Sequence, residues 1–300
     1  MNSQRNSSTP HQYFRLAALG MLAVVFILGC SKKQTNAPAT PAKTSQKTFA
    51  TPAEAGKALQ SAVQAKDDKA IAQVLGPKAK ALVSSGDSTE DAAATDSFAK
   101  KYDRMNRWVT MTDGSQVLYI GADNYPFPVP LAQDGSARWR FDATAGDEEL
   151  RARRIGNNEL TAMDAARLIA NAEELYHRST HRYTDNVTST PGQQDGLYWE
   201  VAQGQAPSPL GRFSEFAKGI FAAGAPSKTA VLSGYSFRIL TAQGGFTIFA
   251  SPVNYRYSGI MTFSLGRDGV VYQQDLGPQT TDAVEAINQY NSTDGWTQAE

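Results

Sequence analysis

One cysteine in 300 residues excludes a disulfide framework and any metal site built on several thiolates. Net charge is lacking too: 29 basic and 29 acidic side chains cancel, so no strong field draws the chain to nucleic acid. Three histidines leave little imidazole for catalysis or metal binding. There is no Gly-rich phosphate loop, no calcium loop and no His-Glu-x-x-His pattern. The apolar run at residues 16–28 has only thirteen residues, where a membrane-spanning helix needs about 20.

What remains is instructive. Arg5, His11 and Arg15 precede that apolar run, which fits the hydrophobic region of a secretory signal. It ends in Ile27-Leu28-Gly29-Cys30, which resembles the lipobox of bacterial lipoproteins. The resemblance implies cleavage before Cys30, so that residues 1–29 are a signal peptide and Cys30 is the lipidated first residue. Ser31 follows, where an Asp would signal inner-membrane retention. The expected location is therefore the cell envelope, on the periplasmic face of the outer membrane in a Gram-negative cell. The membrane is the expected partner through the lipid. Residues 30–48 carry four lysines and no large apolar side chain, the composition of a disordered tether.

The rest is 41% hydrophobic over the whole chain, enough for two cores. Residues 49–145 read as helices followed by an antiparallel sheet. Thr51, Pro52 and Glu54 form a capping box with proline at the first helical position. Asp67 and Asp68 open a second helix stopped by Gly76-Pro77, and Phe98, Tyr102 and Met105 mark a third. Pro126, Pro128 and Pro130 at period two remove N–H groups from one side, as only an edge strand or polyproline stretch tolerates. This order resembles the cone-shaped nuclear-transport-factor-2-like fold. Residues 146–300 read as a long helix packed on an antiparallel sheet, with Gly156 predicting a break. The pattern also predicts a short strand at residues 196–201, a helix over residues 213–221 and a final helix from Thr281 or Asp282 out to Tyr290. Residues 234–272 resemble the globular head of pilin-like proteins. The expected fold class is α+β in two domains.

Ten short motifs in order resemble a bacterial exported family called domain of unknown function 2950. They are Phe49-Ala-Thr-Pro-Ala-Glu, Leu82-Val-Ser-Ser-Gly-Asp, Tyr125-Pro-Phe-Pro-Val-Pro-Leu, Trp139-Arg-Phe-Asp, Ala152-Arg-Arg-Ile-Gly-Asn-Asn-Glu-Leu, Gly196-Leu-Tyr-Trp, Ser208-Pro-Leu-Gly, Phe237-Arg-Ile-Leu-Thr-Ala-Gln-Gly, Gly259-Ile-Met-Thr-Phe and Asp275-Leu-Gly-Pro. The resemblance covers residues 49–296 and implies an exported protein, often a lipoprotein, without an established activity. Near Gly244-Gly245 the chain is short of a hairpin associated with the family.

No catalytic residue and no cofactor is expected. Gly234-Tyr-Ser236 lacks the second glycine of a nucleophile elbow. Glu148-Glu149 and Glu173-Glu174 are neighbours on helices that point apart, not a facing pair. Glu173, His177 and His181 recur every fourth residue and are the only candidate metal ligands, set against a helix end that simply favours cations. Arg151, Arg153 and Arg154 either contact an anionic partner or pair with Asp147, Glu148, Glu149 or Glu159. Tyr125, Phe127, Trp139, Tyr198 and Trp199, with Arg153 and Arg154, are the candidate ligand contacts; the same rings would also serve as core. The expected function is a noncatalytic binding or scaffolding module of the envelope, with an envelope protein or glycan as partner. The alternatives are an envelope hydrolase acting through carboxylates on polysaccharide or peptide, and an accessory part of a pilus or secretion system.

Overall fold

The Thr51 hydroxyl accepts from the Glu54 N–H, and the Glu54 carboxylate reaches back to the Ala50 N–H, closing the predicted capping box at the start of α1 (Pro52–Gln64). Asp67 caps α2 (Asp68–Leu75) by accepting from the Lys69 and Ala70 N–H groups. In the computed structural model, residues 46–76, 78, 82, 88–201, 204, 206–213, 228–242 and 244–299 are described. After α3 (Ser88–Arg104) come β1 (Asn106–Thr110), β2 (Gln116–Ile120), β3 (Tyr125–Pro126), β4 (Leu131–Gln133) and β5 (Trp139–Phe141). They pair antiparallel in the order β1-β2-β4-β5, with β3 also on β2. Only Pro126 of the proline series lies in a strand; Pro128 and Pro130 occupy the irregular stretch between β3 and β4. Leu59, Ile71, Val74 and Leu75 from the helices pack against Val129, Leu131 and Phe141.

Residues 46–48, expected in the tether, are bound to this body instead. Phe49 and Trp139 exchange two backbone hydrogen bonds of 2.8 Å, and the Lys47 N–H donates to the Gln73 carbonyl. The Gln46 amide satisfies the carbonyls of Val74 and Phe141. The reason is local: Phe49 extends the β5 edge and buries its ring, and the residues just before it follow.

Asp142 caps α4 (Ala143–Thr180), a helix of 38 residues ending on His181 in the left-handed conformation. The expected boundary at residue 145 lies within its first turn. The break expected at Gly156 does not occur. A glycine costs a helix about 1 kcal/mol relative to alanine, and side chains on both sides of Gly156 pin the helix to its neighbours, as described below.

The C-terminal sheet comprises β6 (Thr229–Leu232), β7 (Tyr235–Ala242), β8 (Gly245–Pro252), β9 (Thr262–Gly266), β10 (Val271–Gln274) and β11 (Thr297–Gln298), antiparallel in the order β11-β10-β9-β8-β7-β6. One face receives α4 through Ala162, Ala165, Ala166, Ile169 and Ala172, whose small size lets the helix lie close over Phe237, Ile248, Phe263 and Leu265. The other face carries Phe249, which meets Tyr290 and Trp296 at ring separations of 5.5 and 6.0 Å. Residues 196–201 form a single bridge, Thr188 to Tyr198, rather than a strand. The helix expected over residues 213–221 lies outside the described residues beyond Phe213. The last helix, α5 (Thr280–Ala286), stops short of Tyr290, because Ile287 turns extended and the Tyr290 ring packs on Phe249. No helix among the described residues is long and apolar enough to cross a membrane.

Arg238 holds this last helix by donating to the Val284 and Ile287 carbonyls at 2.6 and 3.0 Å. Two hydrogen bonds from a charged donor at a helix C-terminus contribute about 2 kcal/mol. The Arg238→Met variant is expected to expose the tail to chymotrypsin at Tyr290 and Trp296, severalfold faster than wild type; equal cleavage rates would show that the aromatic cluster alone holds it.

Candidate functional site

The middle of α4 is where the two sheets meet the same helix, and three of the residues singled out from the sequence gather there. Tyr125 on β3 receives a hydrogen bond from Arg153 Nη1 to its hydroxyl (3.1 Å). The Arg153 guanidinium lies 5.4 Å from the ring centroid and Lys101 Nζ, from α3, lies 4.8 Å from it. Each cation has its own carboxylate: Glu149 for Arg153 at 2.7 Å, and Asp123 for Lys101 at 2.6 Å. The hydrogen bond from Lys101 holds the Asp123 carboxyl below the usual carboxylate range. Tyr125 thus ties α3 and the first sheet to α4.

One turn on, the helix engages the second sheet. Arg154 lies over the ring of Tyr257 at 4.8 Å, and Asn158 donates to the Ser258 carbonyl at 2.8 Å. Glu159 does not pair with an arginine. One of its oxygens accepts from the consecutive N–H groups of Ile260 and Met261 at 2.9 and 3.0 Å, fixing the chain that leads into β9. The Tyr235 hydroxyl donates to the Met261 carbonyl at 2.9 Å, and burial pushes its pKa upward. Of the basic run, Arg151 pairs with Asp147 and Arg153 with Glu149, both four residues apart; Arg154 takes an aromatic ring instead.

The remaining expected contacts are elsewhere. Phe127 meets Phe98 and Phe141 edge-on at 5.2 and 6.2 Å in the first core, and Trp139 packs against the same cluster. Tyr198 and Trp199 lie against the second core. These four serve packing, as an exchange of aromatic area for burial dictates.

Glu173, His177 and His181 are not brought together around a common point. Glu173 faces inward and is fully buried; its Oε2 accepts from the Thr184 N–H at 3.3 Å, while Oε1 meets no donor. Burial pushes its pKa up to about 8, and Asp185 and Glu174 push in the same direction. His177 stacks on Tyr183 at 4.4 Å and 14°, and His181 is the exposed cap of α4. Among the described residues no group of three or more His, Cys, Asp or Glu is placed to hold a metal ion. Cys30 lies outside the described residues.

Sequence reasoning missed Lys101, Tyr257 and the anchoring role of Glu159. A signal for Tyr257 was present: Tyr255-Arg256-Tyr257 alternates ring and cation inside a Ser/Pro/Asn-marked loop. None existed for Lys101, whose partner arises only from the packing of α3 beside β3.

Fold and site together define an α+β protein of two antiparallel sheets threaded on one long helix, its exposed middle furnished with rings and cations. The chain matches the family described as a protein of unknown function, DUF2950, over residues 46–245 and 243–299. It belongs to that family. The two matched stretches meet at the β7–β8 turn, where the sequence is short of the extra hairpin. No curated protein and no solved structure matches it.

Proposed function

We propose that this protein is a lipid-anchored component of the bacterial cell envelope that binds or scaffolds rather than catalyses. The observation that carries the reading is the position of Cys30, the sole thiol, directly behind Ile27-Leu28-Gly29 at the end of a thirteen-residue apolar run. Acyl chains on that sulfur would hold the protein to a bilayer, each buried methylene contributing about 0.8 kcal/mol. Ser31 at the next position favours the outer membrane.

Support for a noncatalytic body comes from how its carboxylates are employed. Asp147 and Glu149 serve as ion-pair partners and Glu159 as an anchor for backbone N–H groups. Glu173, the one carboxyl whose pKa suits a general acid near neutrality, is sealed from solvent and from any substrate.

The test is an intact-mass measurement and membrane fractionation of the wild type against Cys30→Ala. The wild type is expected to carry the mass of its acyl chains and to stay with membranes through a salt wash. The variant is expected without that mass and released by salt. A wild type of unmodified mass in the soluble fraction would end the reading.

A further inference from the structure

We propose that the exposed surface across the middle of α4 is the face this protein turns toward an anionic lipid bilayer. The inference deepens the lipid-anchored reading, which is what brings a bilayer within reach. Three of the large apolar side chains left exposed among the described residues border this stretch: Tyr125 (39% exposed), Tyr257 (58%) and Leu160 (60%). Leu160 stands seven residues after Arg153, two turns along the same helix face. Tyrosines beside arginines suit the headgroup layer, where a ring lies at the apolar boundary and the guanidinium meets phosphate.

The charges argue for lipid phosphate. Lys101 and Arg153 are neutralised by their carboxylates. Arg154 and Arg256 are held only against the rings of Tyr257 and Tyr255, with no ion pair among the described residues. Their charge is therefore available to an outside anion. The sequence from residue 146 onward is acidic, and Lys32, Lys33, Lys43 and Lys47 stand between Cys30 and the body. A negative surface would draw those lysines and the α4 face inward and push the acidic remainder away, which fixes orientation even without net attraction.

Reach permits the contact. Gln46 is hydrogen-bonded to Phe141, next to the cap of α4, and Arg154 stands about 18 Å along the helix from that cap. The residues from Cys30 to Gln46 can span at most about 55 Å. A lipid on Cys30 would therefore leave this face free to lie on the bilayer.

The experiment uses the chain from Ser31 onward, which holds the whole compact unit Thr44–Glu300 and carries no lipid, so its outcome does not depend on acylation. Cosedimentation is measured with phosphatidylcholine vesicles, with and without phosphatidylglycerol, at fixed low salt. Binding is expected only with phosphatidylglycerol. Arg154→Gln with Arg256→Gln should weaken it by about 25-fold, roughly fivefold for each arginine. Leu160→Ser with Tyr257→Ser should weaken it as well. Arg178→Gln with Arg182→Gln removes the same charge from the far end of α4, about 36 Å away, and should leave binding unchanged. Equal losses in the two arginine pairs would overturn the proposal in favour of net charge. So would a patch variant that keeps its vesicle binding but loses affinity for polyglutamate or polygalacturonate, which would make the partner an acidic polymer. Failure of Cys30 to be acylated would remove the anchor and leave this measurement standing.

Discussion

The Glu173→Gln variant is expected to unfold well above the wild type at pH 8 and close to it near pH 4.5. Glu173 is buried in the folded protein, where its carboxyl titrates at about 8 against 4.5 in the unfolded chain. Between these two values the unfolded state has given up a proton that the native state keeps. Stability contributed by the group is therefore fully present below pH 4.5 and is lost as pH rises to about 8, by on the order of 1 kcal/mol for each pH unit. Burial is the principal cause, and the N–H of Thr184 offsets only part of it. The groups facing Glu173 add to the penalty: Asp185 from the following loop, and Glu174 from its own helix. An amide at position 173 has no proton to lose. At pH 8 the difference should amount to several kcal/mol, on the order of 10 °C in Tm for a chain of this size. Calorimetry from pH 4.5 to 8.5 decides it: parallel wild-type and variant curves would mean that Glu173 ionises without penalty and that water reaches it.

Gly259→Ala is expected to be nearly as damaging for a steric reason. A Cβ at position 259 would overlap the Tyr235 hydroxyl and lie 2.6 Å from Cε2 of that ring. The ring cannot retreat easily, because it is fully buried against Phe263 and its hydroxyl donates to the Met261 carbonyl. Overpacking of this kind costs about 3 kcal/mol. Tyr235→Phe alone costs about 1 kcal/mol for the hydrogen bond. If the clash with the hydroxyl is the cause, the double variant must be less destabilised than the sum of the two single changes. Denaturant unfolding of the four proteins measures this. Strict additivity would place the damage elsewhere, in the backbone of the loop that Glu159 holds.

Where sequence reading succeeded, the signal was local. The capping box at Thr51 and Glu54 and the Asp67 cap depend on side chains reaching backbone two to four residues away, so their spacing alone specifies them. The β7–β8 and β9–β10 hairpins follow from alternating apolar residues around tight turns. It failed where a distant partner outweighed local preference. Gly156 forecasts a broken helix on propensity, yet Arg153 and Glu159 anchor the chain on either side and the helix continues. Residues 46–48 have a linker's composition, yet Phe49 finds the edge of β5. Of the candidate contacts, Tyr125, Arg153 and Arg154 converge while Phe127, Trp139, Tyr198 and Trp199 go to the cores, and nothing in their spacing separates the two groups.

By itself the sequence determined the α+β class, family membership and the lack of a multi-cysteine chemistry, because periodicity, motif order and composition are one-dimensional properties. Only the tertiary structure decided that one helix carries both sheets, that Glu173 is buried without a counter-charge, and that rings and cations from four separate segments share one exposed face. Those are facts of proximity between residues up to about a hundred positions apart, such as Asn158 and Ser258. Proximity of that kind is set by the packing of finished elements, and no local pattern encodes it.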